Sequence, residues 1–273
     1  APSPRFFRAG ILAALDRDRD ALGVMDEALE RAQGVELASF ASILAEGFVN
    51  SGRPEAADQL ERLLRQREAD PMARTALAVL FERRGDCEAA IPLLREAIAS
   101  VPIPGSTLRR GLSRCLERTG HPAEAIEVLR DAYRANPDDP VRQVALSLAL
   151  TLSPDPALWK PEEAVELAEE ACGIAPDVPD FALALGIALY RSGDFEGALG
   201  VLEMAIELRA GKFTITENYF RAMSLFQLGE RQEAESAVAQ ADAMAVRLSP
   251  RPGSYSAFVL DSIRAEVRAL LGR

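Results

Sequence analysis

The chain has 273 residues, of which 48% are hydrophobic and 27% are charged. These proportions suffice for a large folded core and exclude a predominantly disordered protein. The formal net charge of -11 argues against nucleic acid and anionic membrane surfaces as partners, because both would be repelled.

The cysteines and the start of the chain bear on compartment. Cys87, Cys115 and Cys172 are far apart in sequence, which fits neither a metal-binding pair nor a disulfide-rich secreted scaffold, so we expect reduced thiols. No run of about 18 apolar residues predicts a membrane span. Because no charged-then-apolar leader opens the chain, we expect a cytoplasmic location, and a periplasmic or exported one stays open.

The predicted elements are pairs of helices that recur along the chain. The pattern weakens near the N-terminus but persists there, in one copy at Gly52, Ala56, Leu60 and Leu63 and in another where Asp16 takes the place of the turn glycine. Gly85 and Gly120 are 35 residues apart, and each is followed by a similar series of small and apolar residues. The best copies are Gly85, Ala90, Leu94, Ala97, Pro102; Gly120, Ala125, Leu129, Ala132, Pro137; Gly193, Ala198, Leu202, Ala205; and Gly229, Ala234, Val238, Ala241.

Each position of this pattern has a physical reason. A glycine can take positive φ and end the first helix of a pair. Alanines spaced by three or four residues let the second helix approach its partner closely, while the Leu or Val between them fills the remaining space. A proline after the second helix ends it. Each copy is therefore predicted to be a helix, a turn and a helix.

This pattern resembles the tetratricopeptide repeat, a helix-turn-helix unit of about 34 residues. The resemblance rests on segments such as Leu185-Gly186-x-x-Leu189 with Ala198 and Leu202, although the tryptophan usual early in the first helix is missing. It implies an all-α fold, a right-handed superhelix of about seven units over residues 1–253. The predicted repeats are 2–34, 38–70, 71–105, 106–139, 140–178, 179–214 and 215–248.

Two segments depart from the repeat. Residues 254–273 have apolar residues at helical spacing and are predicted to form a C-terminal capping helix that shields the last repeat. The turn of the fifth repeat is lengthened around Trp159, the only tryptophan of the chain. We expect Trp159 to pack over this turn, with a role as an exposed binding residue as the alternative.

The sequence offers no catalytic site. The single histidine, His121, lies in a predicted turn without a second histidine for a catalytic or metal site. Glu162, Glu166 and Glu169 share one helical face, which is expected to be solvated because the opposite face is apolar. We predict no enzyme activity, no cofactor and no metal.

The resemblance implies that the first helices of successive repeats line a concave groove. The residues at fixed register positions of those helices change in character along the chain, from the arginines of the fourth repeat, Arg110 and Arg114, to mainly apolar residues in the last three. Arg83 and Arg118 lie near these arginines in register. The predicted groove residues are Arg83, Arg110, Arg114, Val144, Leu148, Leu183, Ile187, Tyr190, Tyr219, Met223 and Phe226.

Two interpretations of these residues stay open. In the first, the groove binds a peptide or helix of a partner protein that carries an acidic segment beside apolar anchors, because guanidinium groups suit carboxylates. In the second, the apolar side chains pack between neighbouring helices and the arginines pair with Glu82 and Glu117.

The sequence thus predicts a non-catalytic protein-interaction scaffold that binds a protein or peptide, and neither nucleic acid nor membrane. The alternative is an accessory or regulatory domain of a larger bacterial multidomain enzyme or signalling protein. The oligomeric state is not indicated.

Overall fold

The computed structural model describes residues 54–100, 106–248 and 255–272, together with residues 20, 23–24, 44–45 and 47–49. The first predicted repeat, residues 2–34, lies almost entirely outside the described residues.

Two compact units divide the chain, residues 1–119 and residues 120–273. The first unit contains α1 (Pro54–Arg65), α2 (Pro71–Arg84), α3 (Cys87–Ser100) and α4 (Ser106–Arg118). The second contains α5 (Pro122–Ala135), α6 (Pro140–Leu152), a short 3-10 helix (Pro156–Leu158), α7 (Pro161–Ile174), α8 (Pro179–Ser192), α9 (Phe195–Leu208), α10 (Ile215–Gln227), α11 (Arg231–Leu248) and α12 (Tyr255–Leu271).

The predicted all-α class is confirmed, since the described part of the chain contains helices and no strand. Consecutive helices pack against each other, as α2 does with α3, α6 with α7, α8 with α9, and α10 with α11. Helices α4 and α5 belong to different units, so the predicted repeat 106–139 is divided between them.

The turn glycines behave as the sequence predicts. Gly85 and Gly193 directly follow α2 and α8 in the left-handed conformation, with φ of 84° and 91°. Gly120 and Gly229 also have positive φ. Because this region is strained for residues with a Cβ, glycine at these positions fixes where the first helix of each pair ends.

Helix starts are marked by proline and aspartate. Pro71 and Pro140 occupy the first turns of α2 and α6, where the missing N–H costs nothing. The Asp70 carboxylate accepts a hydrogen bond from the Met72 N–H at 2.8 Å, and the Asp139 carboxylate accepts one from Val141 at 3.0 Å. These caps satisfy backbone donors that have no partner within the helix.

Gly186 allows α8 and α9 to approach closely. A Cβ at this position would lie 2.7 Å from Leu202 Cγ and 2.8 Å from its Cδ2, and Leu202 is fully buried. Gly186, which belongs to the segment that carries the resemblance, is therefore required for the close packing of these two helices.

We expect Gly186→Ala to destabilise the second unit. Alanine gains about 1 kcal/mol of helix propensity, but overpacking against Leu202 costs about 1 to 3 kcal/mol. The net loss should be about 1 kcal/mol in urea unfolding followed by Trp159 fluorescence. The matched control is Gly200→Ala in α9, where a Cβ meets no atom within 4 Å and the change should stabilise. If both substitutions stabilise the protein equally, the space between Gly186 and Leu202 accommodates a Cβ and the explanation is wrong.

Candidate functional site

Three predicted groove arginines lie together in the first unit. Arg83 near the end of α2 and Arg110 and Arg114 on α4 are called the arginine cluster below. Arg114 Nη2 lies 2.8 Å from Glu82 Oε1, and Arg83 Nε lies 3.4 Å from Glu82 Oε2. The Glu82 side chain is only 9% exposed, so two guanidinium groups hold one largely buried carboxylate.

Arg110 is an exposed residue, whereas Arg83 and Arg114 are partly buried. Partial removal from water, together with repulsion from the guanidinium groups of Arg114 and Arg83, lowers the pKa of Arg110. Next to it, Gly111 leaves room for Glu82, whose Cγ would lie 3.6 Å from a Cβ at that position. The site therefore collects positive charge around a single recessed carboxylate.

A thiol pair lies near the same helix. Arg118 Nη1 donates a hydrogen bond to Cys87 Sγ at 3.3 Å, and both Cys87 and Cys115 are buried. A hydrogen bond from the Cys115 thiol lowers the pKa of Cys87 and raises the pKa of Cys115. The sequence predicts reduced thiols, and both are free, but the spacing of 28 residues gave no sign that they meet.

The apolar groove residues of the second unit lie in its core. Ile187, Tyr219 and Met223 are at most 1% exposed, and Tyr190 is 8% exposed. They belong to one cluster with residues of α9, α11 and α12, against which Leu183 and Phe226 pack. Val144 is buried in a cluster with Phe181, and Leu148 packs against both clusters. This packing agrees with the second of the two interpretations for Val144, Ile187, Tyr190, Tyr219 and Met223, which are buried, while Leu148, Leu183 and Phe226 are partly buried.

Helix α12 packs over several of these apolar groove residues. Leu260, Ile263 and Val267 of α12 are buried in the same cluster as Tyr219 and Met223. The helix packs against α10, the first helix of the last pair, and its polar contacts extend to α8. A capping role stays a prediction, but α12 is placed on the side of the first helices, where we expected a partner.

Arg191 at the end of α8 connects α12 to the second unit. Its side chain is 6% exposed and forms a two-pronged ion pair with Glu266 of α12, with Nη2 2.7 Å from Oε2. Its Nε donates to the Thr151 carbonyl at 3.0 Å, and its guanidinium lies 3.9 Å from the centroid of the Trp159 ring. Arg191 therefore contacts α12, α6 and the turn that contains Trp159.

The lengthened turn of the fifth repeat is held by Trp159, as the sequence predicts. The indole N–H of Trp159 donates to the Ser153 carbonyl at 2.9 Å, and Arg191 covers the ring. Packing, and not an exposed binding role, describes this residue in the structure.

A second polar link joins α12 to α10 and α11. Arg264 Nε donates to the Tyr219 hydroxyl at 3.0 Å, and this hydroxyl donates to Asp242 Oδ1 at 2.5 Å. Burial and the hydrogen bond to Asp242 raise the pKa of Tyr219. For Tyr190, burial followed by the charge of Glu266 has the same effect on the pKa.

In the described part of the chain, the remaining titratable side chains do not form a cluster suited to catalysis or metal binding. Glu162, Glu166 and Glu169 of α7 are exposed, opposite the buried Ala164 and Ala168, as the helical spacing predicts. No set of three or more His, Cys, Asp or Glu side chains suited to a metal ion occurs among the described residues. Within the same residues, no helix combines the length and the apolar character needed to cross a membrane.

Comparison with known proteins agrees with the repeat pattern. A family model described as tetratricopeptide repeat matches residues 45–102, 76–140 and 160–212, together more than half of the chain. No curated protein sequence matches.

Among solved structures, the chain is similar to TTC0263, a thermophilic repeat protein of Thermus thermophilus. The identity is 19%, the TM-score is 0.54, and the match covers 74% of this chain and 100% of that one. It is also similar to MamA from residue 41 onward, from Desulfovibrio magneticus. Here the identity is 14%, the TM-score is 0.51, and the coverage is 65% and 96%. At such identities the likeness concerns the fold.

Proposed function

The chain belongs to the tetratricopeptide repeat family, and we propose that it binds a peptide or helix of a partner protein whose acidic segment is received by the arginine cluster. Proteins of this family bind other proteins and are generally non-catalytic scaffolds. The acidic segment and the residues that receive it are the specific part of the proposal.

The observation that carries this proposal is the charge balance around Glu82. Its carboxylate contacts Arg114 and Arg83, whose guanidinium groups repel the guanidinium of Arg110, an exposed residue. The negative charge of Glu82 acts against this repulsion at Arg110. A carboxylate from a partner would relieve the repulsion further and accept paired hydrogen bonds from a planar guanidinium.

The overall charge of the chain sharpens the argument. A chain with a net charge of -11 repels an acidic peptide at long range. The attraction must therefore act at short range. Added salt should weaken it, because the Debye length at physiological ionic strength is about 8 Å.

Binding of fluorescein-labelled octaglutamate tests this proposal, with octaglutamine as the peptide control. We expect Arg110→Glu to weaken octaglutamate binding about tenfold, because it replaces an attractive contact with a repulsive one. The matched control is Arg62→Glu, which changes an exposed arginine of α1 and alters the net charge by the same amount. It should leave the Kd unchanged.

Two results would contradict the proposal. If Arg62→Glu weakens binding as much as Arg110→Glu, only the net charge matters. If the unaltered chain does not distinguish octaglutamate from octaglutamine at low salt, the arginine cluster is not a carboxylate site.

A further inference from the structure

We propose that Cys87 and Cys115 form a reversible disulfide when the chain meets a hydroperoxide, and that Cys87 is the residue that reacts with the oxidant. The disulfide joins α3 to α4, which belong to consecutive predicted repeats of the first unit. This inference does not depend on the proposed function, because neither cysteine is part of the arginine cluster.

The two thiols lie where α3 and α4 pack against each other. Cys87 is the first residue of α3, Cys115 lies on α4, and both side chains are buried. The Cys115 thiol donates a hydrogen bond to the Cys87 sulfur, so the two sulfur atoms are neighbours although the residues are far apart in sequence. Neighbouring sulfur atoms on packed helices can be joined with little backbone movement.

The surroundings of Cys87 favour its thiolate. Arg118 Nη1 donates a hydrogen bond to Cys87 Sγ at 3.3 Å, and the positive end of the α3 dipole favours a negative charge on the first residue of the helix. The hydrogen bond from Cys115 and the charge of Arg118 lower the pKa of Cys87, against the opposing effects of burial, Glu82 and Asp86. The hydrogen bond that Cys115 donates raises its own pKa, so Cys115 keeps its proton.

The difference in burial assigns the same order to the two residues. Cys87 is 5% exposed and is flanked by the exposed Asp86 and Glu88, whereas Cys115 is 1% exposed. Hydrogen peroxide is close to water in size and therefore reaches Cys87 more readily than Cys115. Cys115 needs to meet only the oxidised sulfur of Cys87, which is already its neighbour.

The reaction takes place in two steps. The Cys87 thiolate attacks one oxygen of hydrogen peroxide, an S–O bond forms as the O–O bond breaks, and the departing hydroxide takes up a proton to become water. The Cys115 sulfur then attacks the Cys87 sulfur, an S–S bond forms as the S–O bond breaks, and the hydroxyl group leaves as water with the proton of Cys115. The two thiols lose two electrons in total, and the peroxide is reduced to two molecules of water.

The third cysteine provides an internal control. Cys172 lies on α7 in the second unit and is partly buried. Burial, followed by the charge of Glu169, raises the pKa of Cys172. Because its thiolate is disfavoured, Cys172 should react with the oxidant more slowly than Cys87.

The test exposes the full unaltered chain to hydrogen peroxide at neutral pH, blocks the remaining thiols with iodoacetamide and maps the tryptic peptides by mass spectrometry. Cleavage after arginine places Cys87 in residues 85–95 and Cys115 in residues 115–118. We expect these two peptides to be linked, the intact chain to lose about 2 Da, which is the mass of two hydrogen atoms, and Cys172 to stay alkylated. Dithiothreitol should restore both thiols.

The role of the guanidinium is tested with Arg118→Met. We expect this variant to lose the Cys87 thiol about tenfold more slowly at neutral pH, with the midpoint of its rate profile moved to higher pH, because the thiolate loses its positive neighbour. The matched control is Arg109→Met, which removes a positive charge from the same helix and should leave both the rate and the midpoint unchanged. In Cys115→Ala, the sulfenic acid of Cys87 should accumulate and react with dimedone.

Other outcomes would overturn the inference. If the folded chain forms no link between residues 85–95 and 115–118, or forms it only in urea together with pairs that include Cys172, the two sulfur atoms do not meet in the native structure. If Cys87 is converted to the sulfinic acid while Cys115 stays free, Cys115 is not its partner. Equal rates for Arg118→Met and Arg109→Met would show that Arg118 does not activate Cys87.

Discussion

Replacing Arg191 with leucine is expected to lower the free energy of unfolding of the second unit by about 2 to 3 kcal/mol. Breaking a buried ion pair from one side usually costs about 3 to 5 kcal/mol, and the value is reduced here because the Glu266 side chain is 31% exposed. The substitution also leaves the Thr151 carbonyl without its donor and uncovers Trp159. Leucine keeps an apolar body at the site, so the loss reports chiefly on the guanidinium.

Urea unfolding followed by the fluorescence of Trp159 measures this effect, since the only tryptophan lies in the second unit. A double-mutant cycle with Glu266→Gln should give a coupling of about 1 to 2 kcal/mol between the two side chains. The matched control is Arg134→Leu, whose side chain is 61% exposed and pairs with Asp131, and it should cost less than about 1 kcal/mol. Equal losses for the two leucine variants would mean that Arg191 is no more than a surface residue.

The repeat architecture could be predicted from the sequence because its determinants are local and periodic. A glycine that must adopt positive φ, such as Gly193, constrains the chain within one turn of its own position. The close approach of Gly186 to Leu202 lies within one helix pair, and both residues belong to the repeat pattern. Such features are repeated in each unit, and the copies support one another.

The surroundings of the predicted groove could not be predicted in the same way. The register identified Tyr190 and Tyr219 as residues on the side of the first helices, but it carries no information about what covers them. Arg191 and Glu266 are 75 residues apart, and Glu266 lies outside the repeats, so no spacing relates the two. Pairing between a repeat and a segment that does not repeat is fixed by tertiary packing alone.

The arginine cluster lies between these two cases. The sequence predicts that Arg83, Arg110 and Arg114 lie on one side of the array, and the structure places Arg83 and Arg114 on the same carboxylate of Glu82. The sequence could not predict which of the three arginines forms an ion pair with Glu82, because this depends on the direction of the Glu82 side chain after α4 packs on α2. Gly111, which leaves space for that side chain, has no place in the repeat pattern.

The role of Glu217, a buried carboxylate at the start of α10, can be predicted in part from the sequence. Thr214 and Glu217 form a capping box, in which each side chain binds the backbone of the other, and the T-x-x-E spacing is readable from the sequence. The ion pair that accompanies it is not, because Arg209 Nε reaches Glu217 Oε1 at 2.9 Å from the end of α9. Glu217 is fully buried, so this arginine is its charged partner in the interior.

We therefore expect Arg209→Met to cost about 3 kcal/mol in the free energy of unfolding of the second unit. Methionine preserves much of the apolar stem but leaves the Glu217 carboxylate, among the described residues, with the Thr214 N–H as its one donor, at 2.5 Å, which does not offset the burial of a charge. Asp180→Asn is the matched control, because it removes only the other partner of Arg209, whose side chain is 72% exposed, and should cost less than about 1 kcal/mol. Adding Glu217→Gln to Arg209→Met should recover part of the loss, since the buried charge is removed and an acceptor for Thr214 is kept. If the double variant is as unstable as the sum of the two single ones, the charge of Glu217 is not what Arg209 compensates, and the stability of this end of α10 depends on the cap alone.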